Sequence, residues 1–295
     1  MSAMNKGGKR IKTGPWPRLQ KFWDIRAACN FIGGGTGSGL LLIAAIFLIL
    51  GQPVLAPIVA GVVFISFGLF MVFLEIGKPW RSINMFFHPQ TSWMTREGIV
   101  VGPLFLCAAL IFFYTSEPFS EIAAYFMGIC AVTFLYCQLR ILHAAKGIPS
   151  WCTPALKPYI FTTGLTEALG IAVCIPGLME EKSLWIALGL MLVVRKIVWQ
   201  LYAKRLHKDK APKTSRKIID GIYVKVLTGH LLSITLLISA NMTNALVLVV
   251  FAGLIAAGTG WYTKIIIITK AAQTRGFGIP RTPVRGKGQS RVLSS

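Results

Sequence analysis

Two carboxylates on neighbouring apolar blocks are the first residues with chemistry to offer. Glu75 closes one block and Glu97 opens the next. Between them the chain reads Glu75-Ile76-Gly77-Lys78-Pro79-Trp80-Arg81 and continues through Phe86, Phe87, His88, Trp93 and Arg96. An interfacial belt of aromatic rings with snorkelling cations accounts for the aromatics and the lysine. It leaves the two acids unexplained, because carboxylates at membrane depth are costly and tend to be functional. Glu97 stands where a helix dipole favours its anion, and from there it can shuttle protons to a ligand at that depth.

Two further elements converge on the same face. Arg140 ends a later apolar block and is followed by His143, Lys146 and Gly147-Ile148-Pro149-Ser150-Trp151. The first block opens Asn30-Phe31-Ile32-Gly33-Gly34-Gly35-Thr36-Gly37-Ser38-Gly39. No Gly-Lys-Ser/Thr follows and no strand precedes, so a phosphate loop is excluded. Close helix packing through small residues explains the glycines; a flat ring entering between helices there is compatible with it.

Deeper in the apolar blocks lie Glu167, Arg195, Lys196, Lys225 and His230. Counting along the helices brings Glu167 and Arg195 to similar depth, where pairing would relieve the burial of both charges. Such a pair is either a structural tie or part of a proton path through Glu167, Arg195, Lys225 and His230. His143, near one edge, and His230, near the middle, do not match in depth, so a bis-histidine haem is not expected.

These residues need a frame. The chain has 295 residues, 54% hydrophobic and 14% charged, where a soluble domain would be about a quarter charged. Apolar blocks of roughly 20 residues, the length that crosses a bilayer, fall near 30–50, 54–74, 98–116, 121–143, 158–178, 183–203, 218–240 and 243–263. The spacing predicts an all-α integral membrane fold of about eight transmembrane helices in two four-helix bundles. A basic interfacial segment (1–29) precedes the membrane domain (30–263), and a basic Pro/Gly-rich tail (264–295) follows it.

Of the 31 Lys and Arg residues, 27 fall in the two ends and the even-numbered connections, and one, Lys182, in the odd-numbered ones. The positive-inside rule therefore puts both termini on the cytoplasmic side. The net charge of +21 fits an anionic lipid surface and not nucleic acid. The six cysteines form no CxxC pair, so neither a metal cage nor an iron–sulfur cluster is expected in this chain.

At Glu75-Ile76-Gly77-Lys78-Pro79-Trp80-Arg81, Arg96-Glu97, Arg140 and Ile148-Pro149-Ser150-Trp151 the sequence resembles the NrfD/DmsC-like membrane anchors of polysulfide and dimethyl sulfoxide reductases. The tail from Gly276 to Gly286 further resembles the membrane subunit of phenylacetyl-CoA:acceptor oxidoreductases. The resemblance implies a haem-free quinone-binding subunit (menaquinone or ubiquinone) in a bacterial cytoplasmic membrane. It also implies a four-cluster iron–sulfur subunit and a molybdenum or tungsten bis-pterin catalytic subunit docked on the cytoplasmic face. By position Glu97, Gly77 and Arg81 would line the quinone site, with Glu75 where the dimethyl sulfoxide reductase anchor carries a histidine. Arg81, Arg140 or His88 would polarise a carbonyl oxygen, and Trp93 and Asn30 complete the candidate set.

Two other classes remain in view. A secondary transporter would use the midplane Glu167, Arg195, Lys196, Lys225 and His230, and would call for broken helices at that depth. A purely structural anchor would need neither site.

Overall fold

The computed structural model describes residues 14–15, 17–76, 83–84, 86–114 and 119–278. Apart from a two-residue ribbon the described chain is helical. The elements run β1 (Gly14–Pro15), α1 (Ile25–Ile49), α2 (Leu55–Glu75), α3 (Trp93–Phe113), α4 (Phe119–Ala144), a single turn α5 (Pro149–Cys152), α6 (Leu156–Ala172), α7 (Lys182–Lys208), α8 (Lys213–Thr243), α9 (Leu246–Ile265) and β2 (Phe277–Gly278). A π-helical turn, Ile266–Lys270, prolongs α9.

Among the described residues seven helices, α1 to α4 and α7 to α9, are long and apolar enough to cross a membrane. Their outer faces carry large exposed apolar residues, such as Val63, Phe67 and Phe70 on α2, which water would not tolerate in such number and lipid does. The protein is a multi-pass membrane protein. The fifth expected span, α6, is shorter at 17 residues. It nevertheless runs through both halves of the core: Leu156 to Ile160 pack at one end with Trp151 and Tyr202, and Ala168 to Leu178 at the other with Phe47 and Val54.

The helices fall into two groups of four. The α6–α9 group closes on itself, each helix packing on two neighbours. The α1–α4 group is open on one side, because α2 packs on α1 and meets α3 only sparsely. The groups meet where α1 lies on α6.

That position requires α1 to be approached on several faces at once, and its glycines permit it. A Cβ on Gly37 would stand 2.5 Å from the Gly61 carbonyl oxygen of α2, and one on Gly35 would stand 3.5 Å from Gly164 of α6. The glycine run is thus filled by neighbouring backbones and by side chains such as Gln138, Lys264 and Ala168, which leave no room there for a ring. Gly37→Val is expected to lower unfolding stability by about 1–3 kcal/mol by overpacking. Gly102→Ala in α3, where a Cβ meets nothing within 4 Å, should be neutral or raise it by up to ~1 kcal/mol. Thermal unfolding of both variants in one detergent checks the contrast, and equal melting points would refute it.

The first and last described segments lie together at one end of the bundle. Gly14 pairs with Gly278 and Leu19 with Gln273, while Gln20 N–H donates to the Ala272 carbonyl at 3.0 Å. The opposite end turns through left-handed residues at Gly51, Gly177 and Asn244. The helices α7 and α8 have 27 and 31 residues, about 40 and 46 Å at 1.5 Å per residue. Both exceed a ~30 Å hydrocarbon layer, so they carry the cations between Lys204 and Lys217 beyond it.

Two boundaries move. The first helix begins at Ile25 rather than 30, under an Asp24 cap whose side chain accepts from Arg26 N–H. The last continues past 263, and Lys264, expected in the tail, is fully buried together with Ile266 to Ile268, Ala271 and Ala272.

Candidate functional site

At the end of the bundle where the first and last described segments pair, four helices and the segment before α1 line a cavity of about 150 Å³. The first residues of α1 supply Ala27, Asn30 and Phe31; the last of α2 supply Val72 and Glu75; α3 supplies Met94 and Glu97. Trp23 closes one wall, its ring 5.9 Å from Phe31 and 4.9 Å from Trp151. The volume matches what takes up one six-membered ring in an apolar cavity, about 150 Å³.

Each wall is fixed locally. Ser92 caps α3 by accepting from Thr95 N–H at 3.2 Å, so α3 starts at Trp93 and Glu97 sits one turn inside, not at the helix opening where the dipole is strongest. Arg26 clamps the start of α1 to the end of α2, donating to the Leu74 carbonyl at 2.9 Å and bridging Asp24 at 2.8 Å. That guanidinium holds the Asp24 carboxyl below its usual range. Trp23 is held by Gln20, whose Oε1 accepts from Trp23 N–H at 2.8 Å and whose Nε2 donates to the Ile268 carbonyl at 3.2 Å. The Trp151 indole donates to the next carbonyl, Ile267, at 3.0 Å. The wall is therefore tied to the π-turn of α9.

The two acids differ in setting. Glu97 is 4% exposed, against the side-chain amides of Asn30 and Gln138, whereas Glu75 is half-buried at the rim. Gln138 Nε2 donates to the Asn30 backbone carbonyl at 3.1 Å. Glu97 Oε1, Asn30 Oδ1 and Gln138 Oε1 are buried with no donor among the described residues. Two of these oxygens belong to residues that line the cavity, Glu97 and Asn30, and they suit a ligand that brings hydroxyl groups, since an unmatched buried acceptor is destabilising.

Of the predicted set, the structure joins Glu75, Glu97 and Asn30 on this cavity. It separates the others. Trp93 and Arg140 do not line the cavity: they stack on each other where α3 packs on α4, with Trp93 half-buried against the core. His88 is exposed in the connecting segment, away from the cavity. Gly77 and Arg81 lie outside the described residues. Trp23 and Gln138 were missed: an indole outside the spans and an uncharged amide within one. The buried amide in an apolar block was the available signal for Gln138.

One turn further in, the midplane groups are connected differently from expectation. Glu167 pairs with Lys264, Nζ to Oε2 at 2.6 Å with both side chains fully buried, and not with Arg195. Thr36 donates to the same oxygen at 3.0 Å and Lys264 also donates to the Phe31 carbonyl at 2.8 Å. Phe31 lines the cavity, so the ion pair and the cavity share a residue. Arg195 Nε donates to His230 Nε2 at 2.8 Å, and Nη1 to the Ala256 carbonyl at 2.9 Å. His230 Nδ1 faces the Val226 carbonyl at 2.5 Å. A carbonyl only accepts, so Nδ1 carries the proton and Nε2 receives the Arg195 bond. Lys225 is exposed and takes no part. The four isoleucines Ile265 to Ile268 after Lys264 were the sign that it belongs to a span.

No known protein family matches this chain, and no curated protein matches it.

Proposed function

We propose that this protein is the haem-free, quinone-reactive anchor subunit of an oxidoreductase complex, of the NrfD/DmsC-like type. In this reading eight helices, α6 included, cross a bacterial cytoplasmic membrane with both termini inside. A four-cluster iron–sulfur subunit docks on that face and links the anchor to a molybdenum or tungsten bis-pterin subunit. The observation that carries the reading is the cavity itself, which is ring-sized, flanked by Trp23 and Phe31, and edged by a buried and a half-buried carboxylate.

A quinone supplies a two-electron, two-proton couple when bound. The residues around it divide the remaining work. Trp23, Phe31 and Met94 supply apolar surface for the ring faces. Asn30 Oδ1 and Glu97 Oε1 accept from ring hydroxyls and fix their orientation, and Glu97 takes or gives the proton at Oε1. Glu75, half-buried at the rim, exchanges protons between the cavity and the aqueous side.

Purification of the full chain from native membranes tests the reading. Co-eluting soluble subunits with iron, acid-labile sulfide and molybdenum or tungsten are expected, together with protease-accessible ends only on the cytoplasmic side. Elution of the chain alone, with solute flux after reconstitution, would sink it.

A further inference from the structure

The cluster that the structure removes from the cavity has a geometry of its own. Where α3 packs on α4, a half-buried Trp93 holds two guanidinium groups: Arg96 Cζ is 4.1 Å from its ring centroid and Arg140 Cζ 4.5 Å. Tyr136 stands edge-on to the same ring at 5.6 Å, and its hydroxyl accepts from Arg140 Nη1 at 3.2 Å. Arg96 spends Nε and Nη2 on the Pro89 and Gln90 carbonyls, at 2.7 and 2.8 Å. Neither arginine has a carboxylate partner among the described residues.

Two cations gathered on one indole at a membrane edge repel each other and draw only partial compensation from the ring. The arrangement is complete only with an anion. Arg96 Nη1, Arg140 Nη2 and the Tyr136 O–H remain to bind one. Below this head, each helix continues as an exposed apolar stripe at three- and four-residue spacing. On α3 it runs through Ile99 (46%) and Leu106 (60%), and on α4 through Val132 (39%) and Ile129 (64%). A cationic and aromatic head above two apolar tracks has the shape complement of a two-chain amphiphile with an anionic head.

We propose that Trp93, Arg96, Tyr136 and Arg140 form a specific site for the phosphodiester headgroup of an anionic phospholipid, with its acyl chains along α3 and α4. This goes beyond the quinone reading and does not depend on it. The lipid, rather than free phosphate or an acidic protein surface, is favoured by the two apolar stripes, which acyl chains follow and neither of the other two can use.

The test is lipid retention by the purified full chain in detergent, read by native mass spectrometry with phosphatidylglycerol or phosphatidylcholine added. The wild-type protein is expected to keep one phosphatidylglycerol in preference to phosphatidylcholine. Arg96→Gln with Arg140→Gln should weaken that binding about 30-fold, and Arg140→Gln alone about 5-fold, at roughly 1 kcal/mol per cation near the surface. Removing two cations elsewhere, with Lys208→Gln and Lys217→Gln, should leave the single tight site unchanged. If the double arginine variant does not fold, the single variant carries the test. Equal retention by wild type and arginine variants overturns the site. So does an equal loss in the lysine variant, equal binding of phosphatidylcholine, or displacement of the lipid by millimolar inorganic phosphate. Loss of lipid only on addition of the soluble subunits would assign the cluster to a protein partner instead.

Discussion

Replacing Glu97 by glutamine is expected to lower quinone-coupled turnover by about 100-fold or more while the complex assembles and binds its other substrate normally. The carboxyl is almost fully buried and is the only titratable group on the inner wall of the cavity among the described residues. Glutamine keeps the volume and hydrogen-bonding span, and its amide can donate to Asn30 Oδ1 or Gln138 Oε1, both buried acceptors without donors among the described residues. The variant should therefore melt no lower than the parent. Glu75→Gln should have a smaller effect, about tenfold, because solvent reaches the rim and can substitute. Assays with a soluble quinol analogue and with an artificial acceptor that bypasses the anchor separate the two steps. Unchanged quinone kinetics in the Glu97 variant would remove the proton-transfer role.

Most of the helices were legible in the sequence because apolar blocks of membrane length have few alternatives. Their ends were not. The chain places α3 at Trp93 rather than 98 and α8 at Lys213 rather than 218, since a helix that leaves the lipid continues on capping and backbone bonding, which hydropathy does not register. Within the site, Glu75, Glu97 and Asn30 were legible as polar groups against apolar surroundings. Trp23 was not, because it reaches the cavity only through Gln20 and the distant carbonyl of Ile268. Trp93 and Arg140 lie off the cavity for the opposite reason. Their types and depth suited a ring site, but the side of the helix each occupies is decided by the packing of α3 on α4, which no count along the chain supplies. The same holds for Arg195, whose partner His230 lies on α8, while the lysine that matches Glu167 comes from the end of α9.

That last pairing carries the second large effect. Lys264→Met is expected to destabilise the protein by about 3–5 kcal/mol, because it leaves the buried Glu167 carboxylate without its cation. The Phe31 carbonyl loses a donor at the same time. Adding Glu167→Leu should recover most of that loss, since a buried pair replaced by apolar residues of similar size is often neutral or better. Denaturant unfolding of the parent, the two single variants and the double variant gives the coupling energy, and a value below about 1 kcal/mol would show that the pair is not the tie its geometry implies. The double variant then decides what the pair is for. A structural tie between α6 and α9 is dispensable once apolar packing replaces it, so turnover should survive. A proton path needs a titratable group between the cavity and the interior, and Leu and Met supply none. We expect turnover to survive: Glu167 reaches the cavity only through the Phe31 carbonyl, which accepts from Lys264 but cannot pass a proton on, and Glu97 with Glu75 already connects the ring to the aqueous side. Retained folding with lost turnover in the double variant would instead place Glu167 and Lys264 on the route of the proton.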